Sequence, residues 1–204
     1  MKIICIGRNY SEHAKELGNS IPTEPVFFIK PDTALLKDNE PFYHPDFSKN
    51  IQYEIEVVLK INKVGKNIQE KFAGNYYSEI GLGIDFTARD VQNELKAEGL
   101  PWEKAKAFDY SAVISNFFIP KTELGDLNHL DFHLLQNQQK VQLGNTNQML
   151  FNFDTIIHHV SKYITLKTGD LIFTGTPSGV GKIKIGDILE GYLKDKKMFE
   201  TEIK

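Results

Sequence analysis

The run IQYEIEVVLKI at residues 51–61 decides how the rest of the chain is interpreted, because it is the clearest β-strand in the sequence. Alternate side chains of a strand point to the same face. Glu54 and Glu56 should therefore project side by side, while Ile55 packs on the opposite face. Two adjacent carboxylates repel each other unless a cation lies between them, and a hard divalent ion with oxygen ligands is the natural candidate. The ordinary alternative is a solvent-facing strand, which often carries glutamate.

Length and composition are typical of an ordinary globular protein. The chain has 204 residues, of which 41% are hydrophobic and 25% charged, and its net charge is −3. We expect one domain over residues 1–204, able to bury roughly 70% of the surface of the unfolded chain. The charge gives no electrostatic case for binding nucleic acid or an anionic membrane. No run approaches 18 apolar residues, so no membrane-spanning segment is predicted.

The only cysteine, Cys5, lies in an apolar run and is predicted to be a small core residue. A single cysteine cannot form an internal disulfide, which fits a reducing compartment. The apolar stretch before Arg8 is too short for a signal peptide. We therefore expect a cytoplasmic protein.

Hydrophobic periodicity and turn residues predict an α+β fold with a mixed or antiparallel sheet. The regular alternation of strand and helix that builds a doubly wound sheet is missing. Besides 51–61, strands are predicted at residues 2–6, 82–86, 117–120, 131–135 and 170–174. Helices are predicted at residues 9–17, with Gly18 as C-cap, and at 68–80, 90–98 and 153–163.

A third acid, Asp85, follows the apolar run at residues 81–84 and should stand at a strand end. With Glu54 and Glu56 it completes a set of three carboxylates. Mg²⁺ typically takes few protein carboxylates and keeps water positions for a chelating substrate. The alternative is that Asp85 begins a turn or caps a helix.

Two groups of residues could bind an anionic substrate. Arg89 and Gln92 are three apart on a predicted helix and form a reasonable carboxylate-binding pair, although a surface salt bridge from Arg89 is common at such sites. Lys106 follows Trp102 in an aromatic, apolar setting and could meet a developing oxyanion, unless it is a solvent charge.

A histidine–glutamate pair and a glycine-rich loop complete the candidate chemistry. His13 and Glu16 are three apart on the first predicted helix, where the carboxylate could orient the imidazole to activate water, although most such pairs are solvated surface. The loop at residues 173–181 fails the P-loop test, because Lys182 is followed by Ile183. It could still present backbone N–H groups and the Thr176 hydroxyl to a carboxylate, or be a plain hairpin turn.

The order of these motifs is more specific than any one of them. The chain carries GRNY at 7–10 followed by His13, EIE at 54–56, DFTARD at 85–90, GLPW at 99–102 followed by Lys106, GD at 169–170, and TGTP at 174–177 with GVG at 179–181. In this order the sequence resembles the fumarylacetoacetate hydrolase family from about residue 3 to residue 186. It looks closest to the short single-domain branch of acylpyruvases and oxaloacetate decarboxylases or tautomerases.

The resemblance implies a fold, a cofactor and a set of site residues. The implied fold is a mixed β-sheet roll, barrel-like, with flanking helices, usually a homodimer, with a lid helix in the part formed by residues 1–50. The implied cofactor is Mg²⁺ or Mn²⁺, held by Glu54, Glu56 and Asp85. The implied catalytic residues are His13, Glu16 and Lys106, and the implied substrate contacts are Arg8, Arg89, Gln92 and Thr176.

The function implied by the resemblance is a metal-dependent reaction on a β-keto or β-diketo acid. Acylpyruvate C–C hydrolysis, oxaloacetate decarboxylation or both would give pyruvate. The alternatives are a keto–enol tautomerase or isomerase of oxaloacetate or 2-hydroxyhepta-2,4-diene-1,7-dioate, and a non-catalytic metal-binding protein on the same fold. A nucleotide-binding enzyme is a further alternative, but the loop lacks the Lys-Ser/Thr pair it would need.

The chain departs from the family pattern at three places. Gln52 stands where relatives often have histidine. The run KVQLG at residues 140–144 lacks an arginine that many members place before the glutamine, and the lysine-rich tail lacks the usual glycine-rich hairpin. These departures leave the distal end of the substrate undefined.

Overall fold

The computed structural model describes residues 1–16, 18 and 20–204. Over these residues the chain forms four helices, α1 (Ser11–Glu16), α2 (Arg89–Glu98), α3 (Glu103–Lys106) and α4 (Phe153–Tyr163). It also forms fifteen strands: β1 (Ile3–Gly7), β2 (Val26–Lys30), β3 (Leu35–Leu36), β4 (Ile51–Tyr53), β5 (Ile55–Ile61), β6 (Tyr77–Asp85), β7 (Thr87–Ala88), β8 (Ala112–Ile114), β9 (Ile119–Pro120), β10 (Asp131–Gln136), β11 (Gln139–Asn145), β12 (Leu171–Phe173), β13 (Gly181–Lys182), β14 (Ile188–Leu193) and β15 (Lys196–Glu202).

The central element is an eight-stranded sheet in the order β2-β1-β12-β5-β6-β8-β3, with β9 paired to β6. β1 is parallel to β12 and β3 is parallel to β8, whereas β5 pairs antiparallel with both β12 and β6. A four-stranded sheet, β11-β10-β14-β15, and a three-stranded sheet, β13-β4-β7, accompany it. The predicted α+β class, a mixed and curled sheet roll with few flanking helices, is confirmed.

The predicted strand at residues 51–61 is interrupted at Glu54, where the chain passes from one sheet to another. β4 pairs with β13 and β7 of the small sheet, whereas β5 pairs with β12 and β6 of the large sheet. The Glu54 carbonyl still accepts a hydrogen bond from Asp85 N at 2.8 Å. Tyr53 and Ile55 are buried in the core, so Glu54 and Glu56 share the opposite face, as the alternation predicted.

The predicted helix at residues 68–80 is wrong. The chain instead forms a 3-10 turn, Glu70–Tyr76, and then enters β6. The four-residue spacing of Phe72, Tyr76 and Ile80, which predicted the helix, does not mark one buried face, because Phe72 is 49% exposed and Ile80 is fully buried. The alternating pattern of β6 prevails because β5 supplies an antiparallel partner along its length. Within β6, position 83 must be glycine, since a Cβ atom there would lie 2.5 Å from Val113 O and 2.6 Å from the Phe173 ring.

The strand predicted at 82–86 is part of β6, which begins five residues earlier, at Tyr77, and the other predicted boundaries shift less. The helices at 90–98 and 153–163 and the strands at 2–6, 131–135 and 170–174 are found within one residue of their predicted ends. The first helix covers Ser11–Glu16, and the predicted end at residue 17 lies outside the described residues. Gly18 has the left-handed φ of +65° expected of a C-cap. The strand predicted at 117–120 shortens to β9, and the lysine-rich tail forms a hairpin without glycine at its turn, where Lys194 has a φ of 52°.

Candidate active site

One small cavity of about 40 Å³ collects nine of the ten residues singled out by sequence. It lies where the sheet switch at Glu54, the end of β6 and the helices α1, α2 and α3 converge. Its predicted lining residues are Arg8, His13, Glu54, Glu56, Asp85, Arg89, Gln92, Lys106 and Thr176. Glu16, the tenth, reaches the cavity wall through its contact with His13.

The three carboxylates form a compact cluster inside the protein. One oxygen each of Glu54, Glu56 and Asp85 lies within 4.8 Å of the others. Each residue is 5% exposed or less, so the interpretation of the two glutamates as a solvent face is wrong. Three convergent carboxylate oxygens are the donor set that hard divalent cations prefer.

Lys106 bridges two members of the cluster. Its Nζ lies 2.8 Å from Glu54 Oε2 and 2.7 Å from Asp85 Oδ2. Arg89 Nη2 donates to the other oxygen of Glu54. Lys106 is only 3% exposed, so it is not a solvent charge. Burial lowers the pKa of the Lys106 ammonium, but the carboxylates of Asp85 and Glu54 outweigh burial and raise that pKa above its usual range.

Lys30, which no sequence pattern singled out, forms a buried ion pair with Asp85 of the carboxylate cluster. It ends β2 with no exposed surface, and its Nζ lies 2.7 Å from Asp85 Oδ1. The same ammonium donates to the carbonyl and the hydroxyl of Ser111, both at 2.9 Å. The available signal in the sequence is a lone lysine directly after the apolar run at residues 26–29.

The geometry of Asp85 fits a metal ligand. Its contact with Lys30 lies off the hydrogen-bond direction, so the buried Oδ1 atom of Asp85 makes no hydrogen bond with any described residue. A buried oxygen without such a bond is costly unless another partner satisfies it. Glu56 directs one oxygen, Oε2, to Gly175 N at 2.7 Å. The described residues therefore fit a divalent cation within the cluster.

The two glutamates have opposite pKa shifts. Burial raises the pKa of Glu54, but Lys106 and Arg89 more than offset burial and hold that pKa well below its usual range. Burial raises the pKa of Glu56, and the carboxylates of Asp85 and Glu54 raise it further, well above 4.5. Glu54 thus keeps its charge in the metal-free protein, whereas Glu56 retains a proton more readily.

Arg89 is held by two amides and by Glu54 rather than by its sequence neighbour Asp90. Its Nη1 donates to Gln92 Oε1 at 2.6 Å and its Nε donates to Gln52 Oε1 at 2.8 Å. The carboxylate of Asp90 accepts instead from Ser48 Oγ at 2.6 Å. The surface salt bridge considered for Arg89 is therefore wrong. The guanidinium is locked against the cavity, and Gln52, the departure from the family pattern, is one of its two amide partners.

His13 and Glu16 form a contact in which the histidine is buried and the glutamate is exposed. His13 Nδ1 lies 3.1 Å from Glu16 Oε2, and His13 is 5% exposed. The backbone N of Gly179 donates to the same carboxylate at 3.1 Å. This geometry leaves His13 Nε2 as the ring nitrogen that is free to exchange a proton. The histidine of this pair is therefore buried, whereas Glu16 keeps its contact with solvent.

The glycine-rich loop after β12 forms a wall of the cavity. Gly175 N reaches Glu56, Thr176 lines the cavity and Gly179 N reaches Glu16. Gly175 has a φ of +101°, and a Cβ atom there would lie 2.7 Å from the Cβ atom of Asn9. Only glycine allows this approach. The loop is therefore not a plain hairpin turn.

Aromatic rings close the far side of the cavity. Phe28 and Trp102 meet edge to face with ring centroids 6.1 Å apart. Lys106 Nζ lies 5.3 Å from the Phe28 centroid, and Lys96 Nζ lies 5.5 Å from a Trp102 centroid. Burial, Arg89 and Arg8 lower the pKa of Lys96. Aromatic and cationic side chains therefore form this part of the cavity lining.

A sheet roll that buries a carboxylate cluster, its lysine and arginine partners and a histidine–glutamate pair in one cavity defines an enzyme with a candidate metal site. The particular family follows from the whole chain: it belongs to the fumarylacetoacetate hydrolase family, whose model "Fumarylacetoacetate (FAA) hydrolase C-terminal" matches residues 2–204. The resemblance of the motifs is thereby confirmed.

Similar proteins have several named activities. "Oxaloacetate decarboxylase, mitochondrial" of Dictyostelium discoideum is 45% identical over 190 residues, covering 93% of this chain and 87% of that protein. "Oxaloacetate tautomerase FAHD1, mitochondrial" of Mus musculus is 44% identical over 188 residues, covering 92% and 85%. A crystal structure of fumarylpyruvate hydrolase from Pseudomonas aeruginosa, in complex with Mn²⁺ and pyruvate, has a TM-score of 0.93 at 32% identity and covers 100% and 89%.

These names bear on compartment as well as chemistry. Both curated relatives carry the word mitochondrial, so the cytoplasmic location stays a prediction. Among the described helices, none is long and apolar enough to cross a membrane.

Proposed function

We propose that this enzyme uses Mg²⁺ or Mn²⁺ to cleave a β-keto or β-diketo acid and release pyruvate. The substrate would be an acylpyruvate, cleaved by C–C hydrolysis, or oxaloacetate, cleaved by decarboxylation. The observation that carries the proposal is the joint placement of the Glu54–Glu56–Asp85 cluster and the His13–Glu16 pair around one cavity. The names of the relatives, which include a decarboxylase and a hydrolase, support the same substrate class.

Glu54, Glu56 and Asp85 would hold the ion. When bound, the ion would supply Lewis-acid polarisation of the 2-oxo group and charge stabilisation. Oxygen ligands serve Mg²⁺ and Mn²⁺ alike, and the Pseudomonas hydrolase structure contains Mn²⁺. Isothermal titration of the metal-free protein with each ion would rank them.

In hydrolysis, the protein's own residues would divide the work as follows. His13 Nε2, with Nδ1 oriented by Glu16, would take a proton from water, and the hydroxide would attack the distal carbonyl. Lys106 would offset charge on the resulting oxyanion. The C–C bond then breaks, the acyl group leaves as a carboxylic acid, and the other fragment takes a proton to become pyruvate. Arg8, Arg89, Gln92 and Thr176 would orient the substrate.

Tautomerisation is a second candidate, because the mouse relative is named an oxaloacetate tautomerase. That reaction moves a proton between carbon and oxygen and breaks no C–C bond. It would need His13 or Lys106 for proton transfer and no attacking water. Loss of the ultraviolet absorbance of enol oxaloacetate, faster than in a protein-free sample, would detect it.

The test is pyruvate release from acetylpyruvate and from oxaloacetate, measured side by side with metal and with EDTA. Because metal ions alone decarboxylate oxaloacetate, a protein-free sample with the same ion sets the background. Metal-dependent release from acetylpyruvate would establish the hydrolase, and release from oxaloacetate alone would establish the decarboxylase. Release from neither substrate would contradict the proposal.

A matched pair of variants would assign the activity to the cavity. Glu54→Gln removes one cluster charge and should abolish metal-dependent release. Glu79→Gln removes a surface carboxylate whose side chain is 38% exposed and should leave release unchanged.

We also propose that the protein works as a homodimer, as the family resemblance implies. The support is an apolar edge: β2 ends the large sheet, and Ile29 and Leu100 beside it are 38% and 45% exposed. Light scattering during gel filtration should give twice the 23.3 kDa mass of the chain. The monomer mass would contradict the proposal.

A further inference from the structure

Gln142 is buried beside the site but takes no part in the chemistry described so far. It lies in β11 of the four-stranded sheet and is 1% exposed. Its Oε1 accepts a hydrogen bond from Ile55 N at 2.9 Å. Its Nε2 donates to Thr176 Oγ1 at 3.0 Å and to Pro177 O at 2.9 Å. Both N–H groups of its amide, and one acceptor position of its oxygen, are therefore used within the site.

The Ile55 contact lies at the sheet switch. Ile55 N stands between the two candidate metal ligands Glu54 and Glu56, at the point where the chain leaves the small sheet. Gln142 supplies its hydrogen-bond acceptor from a position 87 residues further along the chain. A side-chain amide thus joins the segment of the metal ligands to the loop that carries Thr176.

The contact between Gln142 and Thr176 determines whether the Thr176 hydroxyl donates or accepts a hydrogen bond there. A hydroxyl can donate one hydrogen bond and accept others. Gln142 Nε2 has only hydrogens to offer, so Thr176 Oγ1 must be the acceptor in this contact. Within the described part of the chain, the Thr176 hydroxyl makes no other hydrogen bond. Because Thr176 lines the cavity, its own proton is left for a bound molecule.

We propose that Gln142 is a positioning residue, which sets the Thr176 hydroxyl as a hydrogen-bond donor to the carboxylate of the bound keto acid. The inference rests on the proposed function for the identity of that ligand. Gln142 touches neither the substrate nor the ion, and it acts through the orientation of Thr176. The same amide keeps Thr176 at a constant distance from Glu54 and Glu56, because it holds Ile55 at the same time.

The test is a double-mutant cycle between Gln142 and Thr176, with oxalate as the probe. Oxalate titrated into the Mg²⁺-loaded protein reports binding without turnover. Gln142→Met keeps a side chain of similar length but removes the amide. We expect it to weaken oxalate binding by about twentyfold, near the low end of the range for a hydrogen bond to a charged group, and to raise KM for oxaloacetate with little change in kcat. Thr176→Val should have a similar effect.

The cycle distinguishes a positioning role from a merely structural one. If Gln142 acts through Thr176, then adding Gln142→Met to the Thr176→Val variant should not weaken oxalate binding further. Equal losses in both backgrounds would overturn the proposal, as would unchanged oxalate binding in Gln142→Met. Because Gln142→Met also removes the acceptor of Ile55 N, Mg²⁺ affinity is measured without oxalate in each variant, and a loss of oxalate affinity no greater than the loss of Mg²⁺ affinity would also overturn the proposal.

A second variant guards against poor folding of the first. Gln142→Glu retains an acceptor for Ile55 N but offers Thr176 only oxygens, so the Thr176 proton should turn away from the cavity. Oxalate should bind this variant at least as weakly as Gln142→Met, and the loss should be clearly smaller in the Thr176→Val background, where only the added negative charge remains. Tight oxalate binding by Gln142→Glu would overturn the proposal. Gln139→Met, at an exposed position of the same strand, is the control and should match the wild type.

The oxalate cycle and the pyruvate assay can fail independently. A wild-type protein that releases pyruvate from no keto acid would contradict the proposed function. The oxalate cycle would still decide whether Gln142 orients Thr176 toward a carboxylate.

Discussion

Lys30 Nζ lies 2.7 Å from Asp85 Oδ1, and the two side chains are 0% and 1% exposed. Removing one partner of a buried ion pair leaves an uncompensated charge inside the protein. We therefore expect Lys30→Met to lower the free energy of unfolding by about 3–5 kcal/mol. Urea denaturation of the metal-free protein would measure the loss.

The matched control for Lys30 is a lysine in a surface ion pair. Lys60 Nζ lies 2.9 Å from Glu79, but the two side chains are 42% and 38% exposed. Lys60→Met should cost less than about 1 kcal/mol. Similar losses of unfolding free energy in the two variants would show that the Lys30–Asp85 pair stabilises the protein no more than a surface ion pair does.

Lys106→Met should make folding more dependent on metal. Lys106 is the cation between Glu54 and Asp85 in the metal-free protein. Without it, the carboxylates repel each other more strongly, so we expect the melting temperature in EDTA to fall. A divalent ion should then restore more stability to the variant than it adds to the wild type. Calorimetric scans with EDTA and with Mg²⁺ would compare the two increments, and equal increments would contradict this role.

His13→Ala should separate hydrolysis from decarboxylation. Water must be deprotonated to hydrolyse an acylpyruvate, whereas loss of CO₂ from oxaloacetate needs no attacking water. We expect the variant to lose acetylpyruvate hydrolysis almost completely and to keep most oxaloacetate decarboxylation. Parallel assays of pyruvate release would show the split. An equal loss of both activities would mean that His13 serves a step common to the two reactions.

Metal binding should release a proton from Glu56. Burial, Asp85 and Glu54 raise the pKa of Glu56 well above 4.5, and a carboxylate must be ionised to bind a cation. Metal affinity should therefore rise with pH until the pH exceeds the raised pKa of Glu56. Calorimetric titration at one pH, in buffers of different ionisation enthalpy, would count the protons released. Glu56→Gln should abolish that release.

The same shift has a defined effect on the stability of the metal-free protein. Because the folded pKa of Glu56 is higher than the unfolded pKa, the folded state binds its proton more tightly than the unfolded chain does. This contribution favours folding at low pH and is lost as pH rises from 4.5 through the raised pKa. Wild type and Glu56→Gln should therefore diverge in melting temperature as pH increases. Parallel curves would contradict the shift.

The sequence allowed accurate prediction where the evidence was local. The alternation around Ile55 placed Glu54 and Glu56 on one face, and Asp85 was placed at the end of an apolar strand. Both inferences need only the geometry of a strand. The helix at 68–80 failed because a four-residue spacing ran across the boundary between a 3-10 turn and β6, and the pairing of β5 with β6 determined the outcome.

The site residues that the sequence did not indicate are held by contacts with distant segments of the chain. Lys30 reaches Ser111 across 81 positions, and Gln142 reaches Ile55 across 87. Neither residue has a neighbour in sequence that shares its role, so no periodicity could indicate it. The interruption of the strand at Glu54 is equally non-local, because it depends on which of two sheets supplies the next hydrogen bonds.

The balance of charge around the cavity has a consequence for selectivity. Three carboxylates meet three buried cations, so their formal charges cancel: Glu54, Glu56 and Asp85 against Lys30, Arg89 and Lys106. A divalent ion, with Glu56 ionised, leaves an excess of two positive charges in a medium that screens charge poorly. Arg8 and Lys96, which also line the cavity, add to this positive charge, so a molecule that carries at least two negative charges is favoured. Such an interior would reject a neutral ester of the same shape, and so the protein would sort metabolites by their charge before it sorts them by their size.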